Sequence, residues 1–199
     1  MMRSAAFVVL LVIATSTSVA LAAEIDDRDL SFRLTLPEGF RPFPEGKSFS
    51  PDTVYSYILG DPRDNVLDIV VLIERMHGVL GRERLAKKAR ELGVELIKEP
   101  WGPFTLEVFR IPETLEGVSL LTFNAQVPLR HEAIQLKLTG PAAREQEMRS
   151  LLKDLLANLE GDTNWLTDSE RVSRLFTGLA KLGGTILVVY VIVRFFRRR

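Results

Sequence analysis

Apolar and polar positions recur along this chain with two distinct periods. In Leu30-Ser-Phe-Arg-Leu-Thr-Leu36 the period is two, placing Leu30, Phe32, Leu34 and Leu36 on one side of a half-buried strand that Pro37 ends. A loop is expected over Arg41-Pro-Phe-Pro-Glu-Gly46, a strand over Thr53 to Leu59, and a turn at Gly60-Asp-Pro-Arg-Asp-Asn65. Val66 to Glu74 is almost continuously apolar, which predicts a central strand. Further strands are expected at Val94 to Lys98, Phe104 to Ile111, Val118 to Val127 and Arg130 to Thr139, with Pro128 and Leu129 at the corner between the last two.

Two stretches carry the helical period instead. Gly81 to Leu92 sets Leu85, Ala89 and Leu92 on one side, and Gly93 stands where a left-handed C-terminal cap belongs. Pro141 to Asn158 has the clearest pattern: Met148, Leu151, Leu152, Leu155, Leu156 and Leu159 all fall on one helical stripe. That stripe must cover an apolar surface, and a sheet is the available partner. The expected architecture is an α+β domain, a largely antiparallel sheet flanked by helices.

The two ends of the chain read differently. Arg3, the apolar run Ala5 to Ala14 and the small-residue stretch ending in Ala20-Leu21-Ala22 form the three parts of a secretory signal, with cleavage after Ala22 or Ala23. Near the other end, Leu175 to Phe196 spans 22 residues, about 33 Å as a helix, which matches the bilayer core. Lys181 near its outer end and Arg194 near its inner end can carry their charges back to the headgroups. Tyr190 sits near the inner interface, and Arg197, Arg198 and Arg199 act as a stop-transfer signal on the cytoplasmic side. Before the segment, Thr167-Asp-Ser-Glu170 has capping-box spacing, which predicts a juxtamembrane helix. The expected division is a signal peptide at 1–23, an extracytoplasmic domain at 24–160, and a linker with juxtamembrane helix at 161–174. A single transmembrane helix at 175–196 and a basic cytoplasmic tail at 197–199 complete it. Trp165 is expected to sit as an anchor near the interface.

Composition narrows the class without naming a chemistry. The 199 residues are 46% apolar and 26% charged, with no cysteine, which excludes a disordered chain, a disulfide framework and a diacylglycerol anchor on a cysteine. The overall neutrality hides a division: residues 24 to 170 carry 26 acidic and 18 basic side chains, a formal charge of −8, while everything from Arg171 onward is basic. An acidic domain argues against nucleic-acid binding.

No catalytic signature emerges. With two histidines, His77 and His131, and no G-x-S-x-G elbow, a serine triad lacks support, and zinc signatures are absent. Glu74-Arg-Met-His77 has Glu-x-x-His spacing once and at a strand end, whereas carboxylate-bridged metal helices need it twice and on helices. Asp61, Asp64 and Asn65 lack the alternating ligands of a calcium loop, and neither a P-loop nor a G-x-G-x-x-G is present, so no cofactor, metal or nucleotide is expected. Candidate partner-binding residues are Trp101, on Pro100-Trp101-Gly102-Pro103, and Phe43 and Phe49 on the Phe40 to Phe49 loop. Exposed aromatics on stiff loops make binding hot spots; the competing reading has these rings plugging the open ends of the sheet.

The opening strand leading into Leu36-Pro-Glu-Gly-Phe40, the meander, the helix, the strand series and the terminal leucine-rich helix resemble the Mog1/PsbP-like superfamily over roughly residues 25 to 160. That resemblance implies an α/β/α sandwich around an antiparallel sheet and a non-catalytic binding or assembly role. The expectation is therefore a single-pass protein of the cell membrane with a periplasmic ectodomain, held by lipid through its C-terminal helix and partnered by an envelope protein. Two alternatives stay open. A carrier of a small apolar ligand would show an apolar pocket beneath the leucine helix, and an envelope hydrolase or accessory would show paired, converging carboxylates. A filled core with an exposed Trp101 would mark the binding module.

Overall fold

The computed structural model describes residues 22–43, 49–60 and 68–166, together with 170 and 173. In chain order its elements are β1 (Glu24–Asp27), β2 (Phe32–Thr35), β3 (Phe40–Pro42), β4 (Thr53–Leu59), β5 (Val70–Met76), α1 (Arg82–Leu92), β6 (Glu95–Trp101), β7 (Phe104–Leu115), β8 (Val118–Pro128), β9 (Ala133–Pro141), α2 (Glu145–Ala157) and β10 (Leu159–Gly161). A seven-stranded antiparallel sheet runs β3-β4-β5-β9-β8-β7-β6, and a small sheet runs β1-β2-β10.

Because side chains alternate along a strand, register decides what each side of the large sheet offers. Ile73, Leu136, Ala125, Val108 and Ile97 pair in one line across β5, β9, β8, β7 and β6, all buried. Against this dry side lie α2, through Met148, Leu152, Leu155 and Leu156, and the small sheet, through Leu34, Leu36 and Leu159. The opposite side carries Glu74, Gln135 and Gln126 in one row and Leu72, Lys137, Asn124 and Phe109 in the next. There α1 covers the β6–β7 end, setting Leu85 and Ala89 on Phe109 beside Leu96 and Ile111. The loop entering α1 crosses β8, where the Leu80 N–H donates to Gln126 Oε1 at 2.9 Å. Helices on opposite sides of one antiparallel sheet make the α+β domain with a largely antiparallel sheet expected from the pattern.

Local chemistry explains the boundaries. Gly93 ends α1 in the left-handed conformation at φ 65°, where its N–H and that of Val94 recover carbonyls of the last turn. Glu116 and Gly117 both have positive φ, 51° and 82°, the requirement of a tight primed turn, so β7 and β8 form one long hairpin.

Several expectations need correction. The loop expected over Arg41 to Gly46 begins as β3, paired with β4, and a strand at Glu24–Asp27 precedes the predicted one. Leu159, which continues the leucine stripe, does not belong to the helix: α2 stops at Ala157 and Leu159 opens β10 opposite Leu34. Its side chain still reaches the same core, because both conformations point it at the dry side. The corner after β8 spans Leu129 to Glu132, and β9 starts at Ala133.

Most of the expected signal peptide, the spanning segment 175–196 with Lys181, Tyr190 and Arg194, the tail Arg197, Arg198 and Arg199, and most of the juxtamembrane helix lie outside the described residues. Among the described residues no helix is long and apolar enough to cross a membrane.

Leu152 is fully buried between α2 and the sheet. Leu152→Ala is expected to destabilise the domain by about 3 kcal/mol, the middle of the range for a leucine truncated in a filled core. Leu92→Ala, at a half-exposed helix end, is expected to change stability by less than about 0.5 kcal/mol. Urea unfolding monitored by far-UV circular dichroism checks both; equal effects would refute the packing of α2 on the sheet.

Candidate interaction surface

Trp101 is not a surface residue. β6 extends through Pro100 and Trp101, which pairs with Phe104 across the Gly102–Pro103 turn. The ring is 4% exposed, and its Nε1–H donates to the Leu159 carbonyl at 2.9 Å, tying β6 to β10. A large ring at the open end of a sheet plugs the core more readily than it stands in water. Phe104 stacks on it at 5.7 Å, and Trp165 meets Phe104 edge-on at 6.0 Å. Trp165, expected as an interfacial anchor, is half-buried here and packs on the domain itself. Phe43 and Phe49 meet edge to face at 5.0 Å, with Phe49 45% exposed. Of the three candidate aromatics, Phe49 therefore presents a ring to solvent.

The antiparallel register gathers further groups that are distant in sequence. Met76 at the end of β5 pairs with Ala133 at the start of β9, so the residues just beyond each strand become neighbours. His77, Arg130, His131, Glu132, Asn164 and Trp165 line a cleft of about 220 Å³ there. Both histidines are exposed. The Glu132 carboxylate lies 3.2 Å from Arg75 Nε, so its charge is met within the protein. On the far side of Trp165, a second depression of about 380 Å³ is bordered by Leu80, Arg82, Leu85 and Glu107, with Arg82 3.3 Å from the Glu107 carboxylate. A third, shallow depression of about 540 Å³ lies on the small sheet among Asp26, Asp27, Arg33 and Glu160. No sequence motif marks the two histidines as partners, since only the pairing of β5 with β9 unites them.

The buried ionic groups sit elsewhere and are individually matched. Glu74 is held by Lys137 at 2.6 Å on the polar side of the sheet, and Glu99 by Arg149 of α2 at 3.1 Å on the dry side. The two carboxylates face opposite ways and do not converge. The space under α2 is occupied by Met148, Leu152, Leu155 and Leu156, each fully buried. Among the described residues no group of three or more His, Asp or Glu could hold a metal ion. Burial pushes the Tyr55 and Tyr57 phenols above their ordinary value; near Tyr55, whose hydroxyl donates to Asp27 at 3.1 Å, the negative charge adds to it.

No protein-family model matches the chain, and no curated protein matches its sequence. Solved structures match it in part. A Bacteroides thetaiotaomicron protein matches with a TM-score of 0.46 and 13% identity over 72% of this chain, which spans 50% of that protein. LpqN of Mycobacterium tuberculosis, described as involved in cell envelope biogenesis, matches with a TM-score of 0.44 and 13% identity over 64% of this chain and 81% of its own. The cyanobacterial PsbP of Synechocystis matches with a TM-score of 0.41 and 14% identity over 73% of this chain and 95% of its own.

Ionic pairs at the start of α2 set a pH dependence. Arg110 donates to both carboxylate oxygens of Glu145 at 2.7 Å and holds that carboxyl below its ordinary value, as Arg144 does for Glu147. With folded values lowered, the pairs stabilise fully above the ordinary carboxylate range, and the effect fades as pH falls through the depressed values. Replacing both with glutamine is expected to lower Tm at neutral pH and to flatten its decline in acid. A pH series of thermal melts reads this directly; parallel curves for wild type and double variant would refute it.

Proposed function

We propose that the protein is a membrane-anchored extracytoplasmic binding or assembly module of Mog1/PsbP-like type, processed at its N-terminus, held by the apolar segment 175–196 and acting without catalysis. The observation that carries this reading is a division of labour among side chains. Glu74, Glu99, Arg110, Arg144 and Trp101 are engaged in holding the fold together. By contrast Phe49, His77, Arg130 and His131 stand exposed around the loops of one end. Exposed aromatic and cationic groups on loops carried by a rigid sheet are suited to recognition. Tethering would confine the search for a partner to a shell near the bilayer and raise its effective concentration.

The same reading favours one of the two cleavage positions. The Ala23 carbonyl accepts the Leu36 N–H at 2.8 Å, and Ala23 packs against the core, so cutting after Ala23 would remove a contact of the small sheet. Cutting after Ala22 keeps it and leaves Ala20 and Ala22 at the small-residue positions a signal peptidase reads. Intact-mass analysis of the protein expressed in a secreting bacterial host is expected to give a chain starting at Ala23. A mass that includes residues 1–22 would remove the signal-peptide reading.

Purification of the full-length protein in mild detergent, with mass spectrometry of what stays bound, tests the function itself. A stoichiometric protein companion lost in Phe49→Asp is the expected result. A protein bearing a lipid or small molecule and no companion would transfer the assignment to a carrier.

A further inference from the structure

Trp165 lies near the end of the continuously described part of the chain. Its edge-on contact with Phe104 and its place in the wall of the His77 cleft put it at the end of the sheet that holds the β6–β7 turn, the β8–β9 turn and the β5–α1 loop. Eight residues, 167 to 174, separate Leu166 from the apolar segment that starts at Leu175. That many residues reach about 12 Å as a helix and about 28 Å fully extended. β8 alone has 11 residues, about 36 Å of strand. On the anchored reading this span is shorter than the sheet and favours the Trp165 end facing the bilayer, with the Leu115–Val118 hairpin tip at the opposite end.

The groups at the near end suit a bilayer surface. Arg130 offers a planar fork of donors that matches a phosphate, and His77 and His131 add ring N–H donors beside it. With Glu132 already met by Arg75, the cleft presents more cation than anion. Phe49, on the β3–β4 loop at the same end, brings a half-exposed ring of the kind that settles among headgroups. Asp52 on that loop opposes contact with anionic lipid, and so do Asp29 and Asp162 beside the small sheet. The far hairpin, which bears Glu113 and Glu116 and no cation between residues 113 and 118, opposes it as well. Tether length favours the near end, and the acidic far hairpin agrees with it.

We infer that the end of the domain bearing Phe49, His77, Arg130 and His131 is a lipid-facing surface that rests on the phosphate headgroups of the bilayer holding the chain's own apolar segment. This rests on the anchored reading above. The chain has no cysteine, so single labels are clean. Gly78, where an added Cβ meets nothing within 4 Å, marks the near end, and exposed Ser119 marks the far one. Full-length Gly78→Cys and Ser119→Cys, each carrying a donor dye, are placed in phosphatidylcholine nanodiscs, with or without phosphatidylglycerol, that contain acceptor-labelled headgroups. Energy transfer several-fold larger from position 78 than from 119, reduced when Arg130→Glu and His131→Glu are added, is the expected result. Equal transfer from the two positions, or more from 119, would overturn the inference. Transfer between two labelled copies at position 78 that persists without lipid would also overturn it, by assigning the surface to a second copy of the chain. Alkaline carbonate extraction of native membranes separates the two levels: retention with equal transfer defeats the lipid-facing surface alone, whereas release into the supernatant defeats the anchored reading with it.

Discussion

The leucine stripe of α2 against the dry side of the seven-stranded sheet is the contact on which the rest depends. Met148, Leu152, Leu155 and Leu156 leave water entirely, as do Leu136, Leu138 and Phe123 beneath them. Each such side chain contributes about 1.5–3 kcal/mol on transfer from water, so this layer outweighs any single polar contact in the domain. Its geometry also propagates along the chain. Once α2 is seated, the next residues are delivered to β2 as β10, which closes the small sheet and offers the Leu159 carbonyl to Trp101. Two residues past β10, Thr163 turns the chain, its hydroxyl accepting the Trp165 N–H at 3.1 Å, and Trp165 lands on Phe104. The position of Trp165 is thus a consequence of how one helix is packed.

The polar side of the same sheet explains why this packing is unique in register. A slip of one residue in the β5–β9 pairing would exchange the two sides. Glu74 and Lys137 would enter the leucine layer, and Val71, Ile73, Leu136 and Leu138 would take their place. Burying an ion in that layer costs several kcal/mol. The Glu74–Lys137 pair and the Thr122–Thr139 hydroxyl contact need not add much net stability in place to exclude the alternative. Polar groups act here against wrong pairings, and apolar groups act for the right one.

Much of this was legible in the sequence because it is written in local periods. The α1 helix and its Gly93 cap, the strand Thr53–Leu59, the β7–β8–β9 meander and the buried stripe of α2 all follow from spacing within a dozen residues. What escaped is short or non-local. β1, β3 and β10 span four, three and three residues, too few to display a period, and they exist because a partner strand is nearby. Trp101 read as a loop aromatic because Pro100 and Gly102 bracket it. Pro100 is tolerated because β6 is an edge strand, so the turn shrinks to Gly102 and Pro103 and the ring falls on the dry side. The meeting of His77 with His131 carries no sequence signal.

That meeting follows from the topology. After β5 the chain departs at His77, passes through α1 to the far edge at β6, and returns strand by strand through β7 and β8 to lay β9 beside β5. His77 marks the departure and His131 the return, so the walls of the cleft belong to the two ends of one excursion. The cleft therefore requires the β5–β9 pairing, and Trp165, which follows α2 and β10 in the chain, completes its wall. A surface built from these contacts is presented by fully folded molecules, because a chain lacking any one of them lacks one of its walls. Arg130 and the two histidines are exposed and contribute little to the core, so substitutions there leave the leucine layer that creates the surface intact.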